Sequence, residues 1–276
     1  MQLGRIGIWK RYQAGTGAVR EIEALGYGTL WLGSSPAVQD ARPFLAESST
    51  LTIATGILNV WRHEPDEVAA AHADLTADFP GRFLLGIGVG HPEATKEYET
   101  PLAKMRPFFD GLDAAERPVP REERIAAALG PRMLRLAAER SLGTHPYFTT
   151  VEHTRFARER VGPDAIVAPE LAVVVETDVE AARRIARSYA TGYLAMRNYA
   201  RNLLRFDWTE RDLADGGSDG LIDAVIPHGS AEEISAAVQA HFAAGADHVC
   251  LQPLGHGPDP IDDYRALARA LRLIRS

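Results

Sequence analysis

Residues 121–148 read REERIAAALGPRMLRLAAERSLGTHPYF, and the way this stretch divides decides the fold. The segment RIAAAL has as much helix propensity as strand propensity, but Gly130-Pro131 interrupts it in either case. Proline suits the first position of a helix, where its missing N–H would have had no intrahelical partner. The division predicted is a strand over Arg124–Leu129, a helix over Pro131–Arg140 and a second strand over Leu142–Phe148.

Outward from this stretch, six further β-type runs alternate with helix signals: Arg5–Trp9, Thr29–Leu32, Leu51–Leu58, Arg82–Val89, Leu171–Val175 and His248–Leu251. Several are apolar at consecutive positions, as in Leu171-Ala172-Val173-Val174-Val175, which fits a parallel sheet covered on both faces. Eight βα units in a 276-residue chain fit the arithmetic of a (β/α)8 TIM barrel of about 250 residues. A doubly wound α/β sheet would use roughly five to seven strands and leave a second domain to be found. The expected architecture is therefore a single barrel domain spanning residues 1–276.

The clearest helix runs over Ser230–Ala244, with Ile234, Ala237, Val238, His241 and Phe242 on one stripe, Ser230 and Glu233 as a capping box, and Gly245 as its end. Thr149 with Glu152 and Thr177 with Glu180 predict two more capping boxes, and another helix is expected over Asp66–Phe79. Two connections are too long for ordinary βα loops: His91–Pro120 after the fourth strand, with a helix over Pro101–Ala115, and Thr191–Pro227 after the seventh strand and its helix. The second carries Tyr193, Tyr199, Phe206 and Trp208, and serves either as a lid or as a subunit contact.

Composition narrows the partners. With 46% hydrophobic and 24% charged residues the chain is an ordinary globular one, and a formal charge of −7 argues against nucleic acid or an anionic membrane as partner. The beginning, MQLGRIGIWKRY, has no signal-peptide pattern and no run is long enough to span a membrane, so a cytoplasmic protein with a small-molecule partner is expected. Cys250, the one cysteine, lies in an apolar strand and reads as a buried small hydrophobe.

In a barrel the chemistry sits at the C-terminal strand ends. These carry Trp9 and Lys10; Gly33, Ser34 and Ser35; Gly56 and Asn59; Gly90 and His91; Gly130 and Arg132; His145 and Tyr147; Glu176; and Gln252. Gly86, Gly88 and Gly90 leave one side of their strand bare, for a flat ring or for a neighbouring backbone. Their spacing is not that of a dinucleotide fingerprint, and no GxSxG elbow, HExxH or Cys/His ligand pattern is present. Gly130-Pro131-Arg132 offers a phosphate the open N-terminus of a helix beside a counter-charge, or is simply a well-made helix start. His91 and His145 each follow a strand and precede a proline, where an imidazole can pass a proton near neutral pH. His72 and His241 fall on helix stripes as packing residues.

The stretches GRIGIW, EALGYGTLWLGSSP, LTIATGILNVW, FPGRFLLGIGVGHP, ALGPRMLRLAAERSLGTHPYF, LAVVVETD and AGADHVCLQPL together resemble the luciferase-like monooxygenase superfamily, in its coenzyme F420-dependent branch. The resemblance runs along the whole chain in order. It implies a luciferase-like TIM barrel with insertions after strands 4 and 7, and a cofactor ring held at the mouth beside a non-prolyl cis peptide, here at Gly56-Ile57. Cofactor contacts would come from Gly56, Ile57, Asn59, Gly90, Gly130, Pro131, Arg132 and Met133, with His91 as proton partner and Ser35, Trp61, His145 and Tyr147 as substrate wall.

There is a departure: sugar-phosphate dehydrogenases of this branch resemble each other in an Asp-His pair after the second strand and a Glu after the fourth, where this chain has Ser34-Ser35 and His91. The implied activity is F420-dependent hydride transfer to or from a small organic substrate by a homodimeric enzyme. The alternatives are an FMN-dependent monooxygenase and a cofactor-binding protein without turnover.

Overall fold

A computed structural model of the chain describes residues 2–90 and 100–274. The strands are β1 (Ile6–Arg11), β2 (Thr29–Gly33), β3 (Thr52–Thr55), β4 (Leu58–Asn59), β5 (Phe83–Gly88), β6 (Arg124–Ala126), β7 (Gly143–Thr144), β8 (Ile166–Val167), β9 (Glu170–Val175), β10 (His228–Gly229) and β11 (Val249–Pro253). They form one sheet in the order β10-β9-β11-β1-β2-β3-β5-β6-β7-β8, with β4 on β5, and the pairs are parallel.

One end of this ladder, β8, and β9, next to its other end, belong to one extended run. β8 pairs with β7, and β9 pairs with β11, and only Ala168-Pro169 lies between β8 and β9. The run is bonded on both sides: Ile166, Ala168 and Glu170 donate their N–H groups to Leu142, Thr144 and Pro146, while Val167 and Pro169 accept from Asp247 and Cys250, and this completes the (β/α)8 barrel.

All eight expected runs are strands. The two from the deciding stretch are shorter than their apolar sequence implies, because Ala127–Leu129 and His145–Tyr147 turn to line a cavity instead. Helix Pro131–Arg140 has the bounds predicted, and Ser230 caps Ala231–Ala243 through a capping box with Glu233. Two caps are corrected. Asp178, not Thr177, caps Val179–Leu194, its side chain accepting from Ala181 N at 2.9 Å. Thr150 occupies the N-cap of Val151–Val161 without a side-chain bond, so Thr149 and Glu152 form no capping box.

Packing has three parts. The largest apolar cluster lies between sheet and helices, and includes Ile8, Leu30, Ile53, Leu85 and Val173. A small cluster fills the barrel interior with Trp9, Trp31, Leu84, Ile125 and Cys250; the thiol is fully buried, which pushes its pKa up. A third anchors the second insertion: Ala182, Ala186 and Ala190, at helical i, i+4 spacing, let Val179–Leu194 come close to Val174 of β9, and Tyr199, Leu203, Leu221 and Ile222 pack beside them. The insertion contains helices Arg197–Leu203, Glu210–Leu213 and Asp219–Val225. His72 and His241 are buried packing residues, His241 with Nδ1 2.8 Å from Thr154 Oγ1.

Candidate functional site

The C-terminal strand ends and the second insertion enclose a cavity of about 850 Å³. Trp9 of β1 forms part of its wall, with Nε1 donating to Gly56 O at 3.2 Å. The indole lies against Gly33, where an added Cβ would stand 1.8 Å from Trp9 Cζ2; glycine is obligatory there. Beyond it, Ser34 and Ser35 continue β2 in left-handed conformation (φ 71° and 55°), and both line the cavity. Non-glycine residues persist in that region where surrounding structure enforces it, most often at functional sites.

The peptide Gly56-Ile57 is cis, and Gly56, Ile57 and Asn59 line the next sector. The glycines of β5 then divide by role. A Cβ on Gly86 would meet Thr55 O at 1.9 Å and one on Gly88 would meet Ile57 Cδ1 at 3.0 Å, so barrel packing accounts for both. Gly90 alone of the three reaches the cavity, with φ +59° and only 2.9 Å between its would-be Cβ and Asn59 Nδ2.

Across the barrel, Gly130 is the N-cap of Pro131–Arg140 and has no side chain to cap the turn. Pro131 has no N–H and Leu134 N bonds to Gly130 O, which leaves the N–H groups of Arg132 and Met133 open to an anion. The helix Arg197–Leu203 comes to the same end. Phe206, just beyond it, meets the His153 ring edge-on at 5.8 Å, and His153 Nε2 donates to Leu129 O at 3.1 Å. This helix gives the cavity Arg201 and Asn202, followed by Arg205. Asn202 is 2% exposed; its Oδ1 accepts from Arg205 Nη1 at 2.9 Å while its buried Nδ2 has no partner. An amide donor without an acceptor in a buried setting costs about 1–3 kcal/mol, a deficit that a ligand oxygen would remove.

His145 is the second such group. It stacks on Trp31 at 3.9 Å and 10°, and Nδ1 donates to Ala168 O at 2.7 Å. Burial pushes its pKa down to about 3, so the ring is neutral and Nε2, buried without a partner, is a fixed acceptor. Beside it Tyr147 lines the cavity, with its hydroxyl bonded to Tyr189, Tyr193 and Gln252.

The lining is cationic. Arg11, Arg62, Arg132, Arg201 and Arg205 contribute, and among the described residues no Asp or Glu does, although the chain carries −7 overall. Of the sequence-predicted residues, Gly56, Ile57, Asn59, Gly90, Gly130, Pro131, Arg132, Met133, Ser35, His145 and Tyr147 come together here. Trp61 is not among the lining residues; its Nε1 donates to Val89 O at 2.8 Å, behind the wall. His91 lies outside the described residues. Lys10 is turned away into a buried ion pair with Asp259, and Gln252 stands behind Tyr147. Sequence reasoning missed Arg11, Arg62, Arg201, Asn202 and Arg205; Arg201 and Arg205 at i, i+4 spacing beside Tyr199 were the available signal for the last group.

Residues 8–248 match the family described as luciferase-like monooxygenase. No curated protein matches the sequence. Among solved structures, the chain is similar to an F420-dependent secondary alcohol dehydrogenase in complex with an F420-acetone adduct, at 15% identity over 100% of both chains and a TM-score of 0.76. It is similar to the coenzyme F420-dependent tetrahydromethanopterin reductase of Methanopyrus kandleri, at 15% identity over 97% of this chain and 98% of that one, TM-score 0.72. It is also similar to the oxygenating constituent of 3,6-diketocamphane monooxygenase of Pseudomonas putida in complex with FMN, at 15% identity over 97% and 96%, TM-score 0.68. At such identities the likeness establishes the fold.

Proposed function

The chain belongs to the luciferase-like monooxygenase family, and from that premise we propose that it is an F420-dependent oxidoreductase acting on a small organic substrate. One observation carries the reading: a mouth cavity whose charged lining, among the described residues, is arginine alone, with unpartnered donors gathered at one end. Arg132, Arg201 and Arg205, the open N–H groups of Arg132 and Met133, and Asn202 Nδ2 supply more positive charge and more donors than one phosphate monoester takes up. A cofactor with both a phosphodiester and carboxylates in its tail matches that surplus better than FMN does.

When bound, the deazaflavin supplies the carbon that accepts or releases the hydride. The remaining work falls to the chain. Gly90 and Gly56, packed against Asn59 and Trp9, line the slot for a flat ring together with Ile57, Asn59 and Trp9. His145 Nε2 accepts a hydrogen bond and Ser35 donates, with Tyr147 as the wall beside them, so they orient a hydroxyl or carbonyl of the substrate. His91, next in sequence to Gly90, is proposed as the proton partner on the side of the cofactor ring.

The test is a titration. Quenching of F420 fluorescence without FMN uptake supports the proposal, and uptake of FMN alone refutes it in favour of a flavin monooxygenase. Asn202→Ala is expected to weaken F420 binding by about tenfold, the value of one hydrogen bond to a charged group. Full turnover by His91→Ala would remove that residue from the chemistry.

A further inference from the structure

Tyr147, Tyr189 and Gln252 form a closed triangle of hydrogen bonds. Tyr147 Oη lies 2.5 Å from Tyr189 Oη, and Gln252 Oε1 is 2.8 Å from the first and 3.1 Å from the second. Two proton arrangements satisfy it equally. In one, Tyr189 donates to Tyr147 and Tyr147 to Gln252; in the other, Tyr147 donates to Tyr189 and Tyr189 to Gln252. The glutamine oxygen accepts in both, so neither phenol loses a partner when the pattern inverts.

The triangle crosses the wall of the site. Tyr147 lines the mouth cavity and Tyr189 does not. Tyr189 instead borders a shallow depression on the outer surface, between helix Val179–Leu194 and the turn after β11, with Ser188, Leu254 and Gly255. Tyr193, 3.2 Å from Tyr147 Oη, widens the inner end of the path.

We propose that the Tyr147–Tyr189 pair, held by Gln252, is a proton relay between the reaction cavity and solvent on the outer face of the barrel. The inference rests on the hydride-transfer reading above. Oxidation of an alcohol breaks its C–H bond with the electron pair leaving as hydride, and breaks O–H with the pair remaining to form C=O; one proton must depart. That proton bonds to Tyr147 Oη while the Tyr147 proton passes to Tyr189 Oη, and the Tyr189 hydroxyl, turned from Gln252 Oε1 toward the depression, gives its own proton to water there. One O–H forms for each that breaks, and rotation of the two hydroxyls restores the starting pattern. Reduction runs the same path inward. Burial holds both phenols far above their ordinary pKa, which keeps the chain of hydroxyls neutral and protonated between transfers.

Tyr189→Phe cuts the path without touching the cavity lining. In protein labelled with carbon-13 at the tyrosine ζ position and loaded with F420, it is expected to slow hydrogen–deuterium exchange at the Tyr147 hydroxyl by about tenfold or more. Its melting temperature and F420 affinity should stay at the level of the unsubstituted protein. In stopped flow with an alcohol substrate and a pH-indicator dye, proton release should lag behind cofactor reduction in the variant and coincide with it in the unsubstituted enzyme. Gln252→Leu, which removes the shared acceptor, should slow exchange as well. Unchanged exchange at Tyr147 in Tyr189→Phe overturns the relay. Failure of the unsubstituted protein to bind F420 sinks the function proposal instead, and exchange in the cofactor-free protein then judges the relay by itself.

Discussion

Glu170 is fully buried at the start of β9, with Oε2 accepting from Phe148 N at 3.3 Å and Oε1 without a partner. Burial raises its pKa from 4.5 to about 8. The unfolded chain releases this proton near 4.5 and the folded chain keeps it, so folding loses stability as pH rises from that value to about 8 and the penalty then levels off. Glu170→Gln keeps an acceptor for Phe148 N and removes the charge. It should stabilise the protein above pH 8 by at least ~1 kcal/mol, with little effect at pH 4.5, as read from melting curves across that range. At this scale the strand-end residues were legible, because a parallel barrel delivers the residue after each strand to one rim. Asn202 was not, since nothing local distinguishes a helix residue that will face a cavity from one that will face solvent.

Among elements, helix starts show how far local chemistry reaches. Ser230 with Glu233 was read correctly because side chain and backbone partner lie within one turn. Thr177 with Glu180 satisfies the same pattern, yet the chain enters Val179–Leu194 one residue later and Asp178 takes the cap. Asp178→Ala should cost about 1 kcal/mol in a denaturant titration and Thr177→Ala close to nothing. Equal losses would mean that the cap is shared between the two. The glycines of β5 carry the same lesson: the sequence allows ring or backbone to approach them, and in the fold Thr55 O and Ile57 take the first two places.

Over the whole molecule, five buried histidines act together. Burial lowers the pKa of His145 to about 3 and those of His72, His153, His241 and His248 to about 4. The unfolded chain binds these protons below about 6.5 and the folded chain does not, so stability falls as pH drops through the window from 6.5 to 4. The slope approaches ~1.4 kcal/mol per pH unit for each histidine, and the five together outweigh the opposing trend of Glu170, Glu123 and Asp263, whose carboxyls burial pushes up. Stability should therefore peak near neutral pH and collapse on the acid side; a melting temperature that stays flat from pH 7 to pH 4.5 would show that the rings are protonated in the folded state.

The sequence by itself determined the barrel and most of its rim. Apolar runs, proline at a helix start and glycine at a close approach act within a few residues, and eight such units leave few ways to bury both faces of a parallel sheet. Only the tertiary structure decided that the run through Pro169 closes the ladder between β7 and β11, that Arg201, Asn202 and Arg205 meet Gly130, and that Tyr147 meets Gln252 across 105 residues of chain. Those contacts depend on where closure of the barrel brings distant segments, and no local preference of either partner specifies that.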